Sequence, residues 1–196
     1  MPATSQQRDL FDEGAGLPAG FCYRGEFLTA AEEAALIEAI AALPLAEASY
    51  RAFTAKRRIL SFGAGYDFTG HTLLPAPALP PVLHPLRERV AEWTGVPADA
   101  LAQCTVAEYR AGTQLGWHRD VPDFGNVAGV SLGAPCRMRL RPYPHRKHRK
   151  ERSLVVILEP RSAYVFRDEA RWGWQHAISP TKALRYSITF RTMRRG

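Results

Sequence analysis

A series of short apolar runs in the second half of the chain constrains the fold more than any other feature. Eight runs of five to nine residues between residues 101 and 194 have the alternating or β-branched character of strands, and turn-forming segments such as PDFGN, GAP and ISPTKA separate them. Many short strands at this spacing are typical of a β-sandwich or jelly roll. We therefore predict a β-rich core over about residues 101–196.

The first half of the chain predicts two helices. Thr29 followed by Glu32 is a capping box, and an apolar stripe follows until Pro44 ends the helix. A second amphipathic helix is predicted over about residues 82–94, before a Gly and a Pro. Together the two halves predict an α+β fold in which the N-terminal helices pack on the outside of the β core.

Length and residue usage narrow the class of protein. A chain of 196 residues suits one domain, which we place at residues 21–196 after an irregular lead-in over residues 1–20. No apolar run approaches the roughly 20 residues of a membrane span, and the first residues lack a secretory h-region. Three scattered cysteines without a C-x-x-C motif suit a reducing compartment. We expect a cytoplasmic protein with no membrane segment.

The positive charge is confined to one block. The net charge is +7, and residues 137–152 (RMRLRPYPHRKHRKER) carry eight Lys or Arg and one Glu, whereas the rest of the chain is neutral. The first part of the block alternates, so Arg137, Arg139 and Arg141 are predicted to share one strand face. A charge run is often only a solvated face, and phosphate contact is the alternative.

A candidate metal site follows from His118 and Asp120. They are two apart in a predicted strand, so both side chains lie on one face. His176, in another predicted strand, is the best-placed third ligand. Two histidines and one carboxylate form the facial triad of non-haem Fe(II) oxygenases. The alternative is a His–Asp pair on a surface strand.

The predicted last strand supplies a candidate carboxylate clamp. Arg185, Ser187, Thr189 and Arg191 lie at alternate positions and therefore on one face. Arginine suits planar, bidentate recognition of a carboxylate, so this face could hold a small dicarboxylate. The alternative is the solvated face of an edge strand.

Taken together, these motifs resemble the AlkB family of Fe(II)/2-oxoglutarate dioxygenases, over about residues 50–191. The resemblance is carried by a Tyr nine residues before the H-x-D motif, by SLG-x-P at residues 131–135, by the distal His, and by a strand similar to R-x-N-x-T-x-R. It implies a double-stranded β-helix, a form of jelly roll, with Fe(II), 2-oxoglutarate and O2 as cofactor and co-substrates. Two departures are Ala107 and Ser187, where family members often have Asn.

By this similarity, His118, Asp120 and His176 would bind the iron. Tyr109 and Arg185 would hold the distal carboxylate of 2-oxoglutarate, and Arg191 would lie near its other end. Ser187 and Thr189 would line the site.

The resemblance extends to a nucleotide-recognition lid over about residues 50–70. Aromatic residues there and beside the metal motif could stack on a flipped base, and an acid could contact its exocyclic nitrogen. The predicted base contacts are Phe62, Tyr66, Trp117 and Asp123; the alternatives are a core position for Trp117 and a turn residue for Asp123. The predicted contacts with the nucleic-acid backbone are Arg57, Arg58, Arg137, Arg139, Arg141, Arg146, Lys147, Arg149 and Lys150.

The function implied by the resemblance is oxidative demethylation of N-alkylated bases in DNA or RNA. The expected partner is alkylated nucleic acid, and the protein is expected to act as a monomer without an obligate protein partner. The alternatives are an oxygenase that acts on tRNA or protein side chains, and a nucleic-acid-binding module with a decayed site.

Overall fold

The computed structural model describes residues 16–50, 53–67, 70–144 and 153–194, without side chains at 48–56. Over these residues the chain is mostly β-strand with a few short helices. The elements, in chain order, are β1 (Phe21–Arg24), α1 (Ala30–Ala41), β2 (Ala46–Tyr50), β3 (Phe53–Phe62), β4 (Ala64–Asp67), β5 (Thr72–Pro75), α2 (His84–Thr94), β6 (Gln103–Tyr109), β7 (Leu115–His118), β8 (Phe124–Gly133), β9 (Cys136–Pro142), β10 (Leu154–Leu158), β11 (Ser162–Phe166), α3 (Asp168–Trp172), β12 (Trp174–Ile178) and β13 (Arg185–Met193).

The strands form two main antiparallel sheets. A seven-stranded sheet has the order β1-β11-β8-β13-β6-β3-β2, and a four-stranded sheet has the order β10-β9-β12-β7. We call them the major and minor sheets. The strands β4 and β5 pair separately as a hairpin. The predicted β-rich second half is therefore present, and neighbours in space are often distant in sequence, as in a sandwich.

Two apolar clusters hold the layers together. One lies between the sheets and includes Tyr164 of the major sheet with Met138 and Leu140 of the minor sheet. The other lies on the opposite face of the major sheet, where Ile40 of α1 and Val90 of α2 join residues of β6, β8 and β13. The major sheet is thus apolar on its helix-facing side, which leaves its other side to carry polar groups.

The two predicted helices form where expected. The Thr29 side chain accepts a hydrogen bond from the Glu32 backbone, and the Glu32 carboxylate accepts one from the Thr29 backbone, so the capping box is complete. Gly95 ends α2 in the left-handed conformation. No helix in the described part of the chain is long and apolar enough to cross a membrane.

Several short elements differ from the sequence expectation. The strand β5, which lies in the Pro-rich stretch after residue 71 and pairs with β4, was not predicted. The helix α3 was not anticipated. The second part of the basic block, residues 145–152, lies outside the described residues.

Candidate metal centre and co-substrate cavity

His118, Asp120 and His176 meet between the two sheets. Their candidate ligand atoms all lie within 4.8 Å of one another. His118 and His176 are directly paired across β7 and β12, and Asp120 follows β7. The side chains of Asp120 and His176 are only 8% and 12% exposed. The set is therefore a shielded group of two imidazoles and one carboxylate.

Local contacts orient the two imidazoles. The Nδ1 atom of His118 lies 2.8 Å from the Gly116 carbonyl oxygen, which leaves Nε2 to face the centre. The His176 ring stacks on Phe166 at 4.8 Å between ring centroids. Burial lowers the pKa of His118, and burial together with the neighbouring His118 lowers that of His176 to about 3. Both rings are therefore neutral at pH 7, as metal binding requires.

A network of side chains holds the Asp120 carboxylate ionised. Burial raises its pKa, but Arg191 and the other nearby cationic groups outweigh burial and keep the pKa well below its usual range. Arg191 Nε donates to Asp120 Oδ1 at 2.6 Å. Arg191 Nη1 donates in turn to Gln103 Oε1 at 2.6 Å and to Thr105 Oγ1 at 3.1 Å. The other carboxylate oxygen, Oδ2, faces His176.

The backbone after Asp120 is fixed by Arg171 of α3. This side chain is 3% exposed. Its guanidinium donates to the carbonyl oxygens of Gly125, Phe124 and Val121 at 2.7 to 2.8 Å and to that of Asp120 at 3.2 Å. One buried cation thus satisfies four carbonyl groups of the loop that carries a candidate metal ligand.

A second buried arginine, Arg185, lines the cavity that the candidate ligands also line. Arg185 is 1% exposed, and its Nε donates to Ser131 Oγ at 3.0 Å. The Tyr109 ring centroid is 5.0 Å from its guanidinium carbon. Within the described part of the chain, its Nη1 and Nη2 atoms are buried without a hydrogen-bond partner. Because an unpaired buried cation is costly, these atoms indicate that an anion belongs here.

Strand register explains how the cavity floor is built. Arg185, Ser187, Thr189 and Arg191 of β13 lie opposite Tyr109, Ala107, Thr105 and Gln103 of β6. All eight line one cavity of about 270 Å³, together with the three candidate ligands. On β8, Gly129 lies opposite Thr189, and a Cβ at Gly129 would come within 2.3 Å of the Tyr164 ring. The missing side chain lets that ring lie across the strand.

Sequence reasoning placed most of these residues but missed the ones that support them. The three candidate ligands and the five predicted co-substrate residues lie in one cavity, and Tyr66 lines it too. Gln103 and Arg171 were not predicted, because each acts through a partner far away in sequence. A charged residue inside the otherwise apolar ARWGW segment was the only available signal for Arg171.

Three of the four predicted base contacts do not line the cavity. Phe62 is 5% exposed and packs in the helix-facing cluster, so it cannot stack on a base there. Trp117 lies on the outside of the minor sheet, against Arg139 and Arg141. Asp123 does not line the cavity but accepts a hydrogen bond from the Tyr66 hydroxyl at the β4–β5 hairpin.

The arginines that were predicted to contact the nucleic-acid backbone also lie in different parts of the structure. Arg58 is engaged by Glu108 at 3.2 Å and by the Leu45 carbonyl on the helix-facing side, so it does not reach the cavity. Arg57 lines the cavity and donates to the Tyr109 hydroxyl at 3.4 Å, which places it inside the site. The β9 arginines face outward. Arg146, Lys147, Arg149 and Lys150 lie outside the described residues.

Residues 21–191 match the model of the 2OG-Fe(II) oxygenase superfamily. The match covers most of the chain. The chain belongs to this superfamily. Membership in the superfamily confirms the predicted dioxygenase class and its cofactor set of Fe(II), 2-oxoglutarate and O2, and a His-Asp-His group is present to suit the metal.

Similar proteins support an AlkB-like member of the superfamily. The chain is 28% identical over 206 aligned residues to the alkylated DNA repair protein ALKBH8 homolog of Arabidopsis thaliana, over 91% of this chain and 57% of that protein. It is 30% identical over 128 residues to the alpha-ketoglutarate-dependent dioxygenase AlkB of Escherichia coli strain K12, over 60% of this chain and 57% of that protein. The chain spans about half the length of the curated relatives it matches.

The fold itself is shared with a solved oxygenase. The structure described as that of OsALKBH1 superimposes with a TM-score of 0.70 at 16% identity, over 90% of this chain and 97% of that one. At this identity the likeness concerns the fold alone. It agrees with the predicted jelly-roll type of architecture.

The cavity fits the cofactor and co-substrate of the superfamily. Two neutral imidazoles and a carboxylate are the donor set that suits Fe(II) with open coordination positions. The unpaired Nη atoms of Arg185, at the other end of the cavity, suit the distal carboxylate of 2-oxoglutarate. The candidate ligands on the minor-sheet side and Arg185 on the major sheet line the same cavity, so one dicarboxylate could reach both.

Proposed function

We propose that this protein is an Fe(II)- and 2-oxoglutarate-dependent dealkylase of N-alkylated bases in DNA or RNA. The observation that carries the proposal is that one cavity contains a His-Asp-His group and a buried Arg185, whose two Nη atoms have no hydrogen-bond partner among the described residues. The nucleic-acid substrate is supported by the relatives, one named for alkylated DNA repair and one named AlkB. We further propose that the sandwich is a double-stranded β-helix with the helices outside.

In this proposal the Nε2 atom of His118, a ring nitrogen of His176 and Oδ2 of Asp120 bind the metal. With O2 and 2-oxoglutarate, the bound Fe(II) supplies the oxidation that hydroxylates an N-alkyl carbon, after which the base is released with loss of an aldehyde. Arg191 keeps Asp120 ionised and leaves one carboxylate oxygen for the metal. The three proposed ligands and Arg191 thus fix the geometry and charge of the metal site before substrate binds.

Arg185 and Tyr109 are proposed to bind the distal carboxylate of 2-oxoglutarate, and Ser187 and Thr189 to line its path to the metal. Ser131 fixes the Arg185 guanidinium by accepting from Nε, so that both Nη atoms remain free for a bidentate contact. The apolar surroundings strengthen this contact because little water competes for it.

The base would enter past the hairpin of β4 and β5. Tyr66 lines the cavity there, and its hydroxyl donates to the Asp123 carboxylate; burial and Asp123 both raise the pKa of Tyr66. We propose that residues 50–70 form the lid over this entrance. At this entrance a cationic methylated base, such as 1-methyladenine or 3-methylcytosine, would stack on Tyr66, and Asp123 would lie beside the cavity through its hydrogen bond with the Tyr66 hydroxyl.

Residues 21–196 are proposed to be one catalytic domain, active as a monomer in the cytoplasm. All three cysteines are free thiols, which suits a reducing compartment. The basic residues Arg146, Lys147, Arg149 and Lys150 stay a predicted phosphate contact.

Formaldehyde release tests the proposal. Purified protein with Fe(II), 2-oxoglutarate and O2 is expected to release formaldehyde from methylated DNA or RNA oligonucleotides. The His118→Ala variant is expected to release none, and Phe62→Leu, away from the cavity, serves as the folded control. Turnover of a methylated peptide in place of both oligonucleotides would overturn the substrate assignment, and full turnover by His118→Ala would overturn the metal assignment.

A further inference from the structure

The outer face of the minor sheet carries a row of arginines. On β9, Met138 and Leu140 are fully buried between the sheets, so the alternating Arg137, Arg139 and Arg141 point away from the cavity. Arg137 is exposed and the other two are half-buried. The strand therefore spaces the Cα atoms of the three arginines about 7 Å apart along one face.

An aromatic ring lies beside this row. Trp117 is next to the candidate ligand His118 on β7 and faces the opposite way. The guanidinium carbons of Arg141 and Arg139 lie 4.3 and 4.9 Å from its ring centroid. On β10, at the other side of the row, Val155 and Ile157 are 43% and 42% exposed. Cationic, aromatic and apolar groups thus share one sheet face.

The charge of this row is not neutralised by neighbours. Elsewhere in the described residues, carboxylates pair with five arginines: Arg58, Arg89, Arg110, Arg161 and Arg191. In the same part of the chain, no carboxylate pairs with an arginine of the β9 row. The polar partner that the structure gives the row is neutral, since Arg141 Nε donates to Gln175 Oε1 at 2.9 Å. Three unneutralised cations on one face favour a polyanion.

A contact between side chains connects this face to the cavity. Arg119 lines the cavity, and its guanidinium carbon lies 3.7 Å from the ring centroid of Tyr143. Tyr143 directly follows β9 and is 44% exposed. Alternating arginines and aromatics therefore continue from the cavity, past the end of β9, onto the outer face of the minor sheet.

We propose that this outer face binds the single-stranded nucleic acid that flanks the modified nucleotide. The arginine row would contact its phosphates, and Trp117 would stack on a base. A sheet face with an aromatic ring and aligned cations is a known way to bind unpaired strands, whose bases are free to stack. A duplex would hide its bases from Trp117. The inference rests on the proposed function, because it requires a nucleic-acid substrate.

Strand length and salt test the inference. Affinities of a methylated trinucleotide, a methylated single strand of about 15 nucleotides and the matching duplex are measured against NaCl concentration. For the 15-mer single strand, the triple variant Arg137→Gln/Arg139→Gln/Arg141→Gln should reduce the salt slope by about 2, since each phosphate contact on a single strand contributes about 0.7. Trp117→Leu should weaken 15-mer binding by roughly 5- to 100-fold without changing the slope.

The controls separate this inference from the proposed function. Lys182→Gln removes an exposed cation in the loop before β13 and should leave the slope unchanged. Turnover of the trinucleotide should be retained by every variant, which also shows that each is folded. Three results would overturn the inference. They are a wild-type salt slope in the triple variant, an equal loss of affinity for the trinucleotide and the 15-mer, and an equal loss of affinity for the duplex and the single strand. Failure of the wild-type protein on every oligonucleotide would overturn the proposed function, and the inference with it.

Discussion

Replacing Arg171 by Met tests whether one buried cation holds the loop that carries Asp120. The methionine side chain fills similar space but donates no hydrogen bond. Four carbonyl oxygens would lose their donor, namely those of Asp120, Val121, Phe124 and Gly125. We expect both a lower stability and a weaker metal site.

The magnitude follows from how many of those carbonyl groups water can reach. A hydrogen bond to a charged group contributes about 1.5–3 kcal/mol. Phe124 is buried, whereas Asp120, Val121 and Gly125 are half-buried, so water can replace part of what they lose. We therefore expect a loss of about 3 kcal/mol in the free energy of unfolding, or roughly 6–12 °C in Tm for a chain of this size.

The effect on the metal should be distinct from the effect on stability. Loss of a group that orients a metal ligand typically weakens metal binding by about 10- to 100-fold. Thermal melting and anaerobic Fe(II) titration of the folded variant measure the two effects. Arg167→Met is the matched control, because Arg167 precedes the same short helix and contacts Cys22 instead of the loop. An Arg171→Met protein with wild-type metal affinity would refute the coupling.

Three further predictions concern other parts of the molecule. Gln103→Leu removes the amide oxygen that accepts from Arg191, so the KM for 2-oxoglutarate should rise about 10-fold with little change in Tm; an unchanged KM would show that Arg191 needs no such support. Hydrogen bonding to Arg89 lowers the pKa of Glu32 from 4.5 to about 2, so its stabilisation is full above pH 4.5 and lost as the pH falls through about 2. Because the pair is more than a third exposed, Glu32→Gln should cost only about 1 kcal/mol at pH 7 and a small part of that near pH 2, measured by urea unfolding; an equal cost at both pH values would contradict this. Adding Fe(II) at about 100 times its Kd should stabilise the protein by about 2.7 kcal/mol, and His176→Ala should abolish that gain in melting experiments; a gain kept by the variant would place the metal elsewhere.

Much of the site could be predicted because side chains along a β-strand alternate between its two faces. The alternation along β13 correctly put Arg185, Ser187, Thr189 and Arg191 on one face, and the two-residue spacing put His118 and Asp120 together. The same alternation argues against Trp117 as a contact with the flipped base inside the cavity, since neighbours on a strand face opposite ways.

Other features depend on pairing between distant strands. Phe62 and Arg58 lie at even positions of β3, and the sequence does not say which parity faces the helices. The register of β3 on β6 decides it, because it pairs Arg58 with Glu108 on the helix-facing side. The role of Arg171 likewise follows from the docking of α3 beside the loop after Asp120, a contact between segments about 50 residues apart.

The central claim is that one cavity holds Fe(II) at the His-Asp-His group and 2-oxoglutarate at Arg185. Anaerobic titration of the protein and Fe(II) with 2-oxoglutarate tests it most directly, because chelation of the metal by the co-substrate gives a visible charge-transfer band. The wild-type protein should show the band, and Arg185→Met should need far more 2-oxoglutarate to reach it. His118→Ala should not show it at all. A wild-type protein without the band, or an Arg185→Met variant that saturates at the same 2-oxoglutarate concentration, would contradict the account.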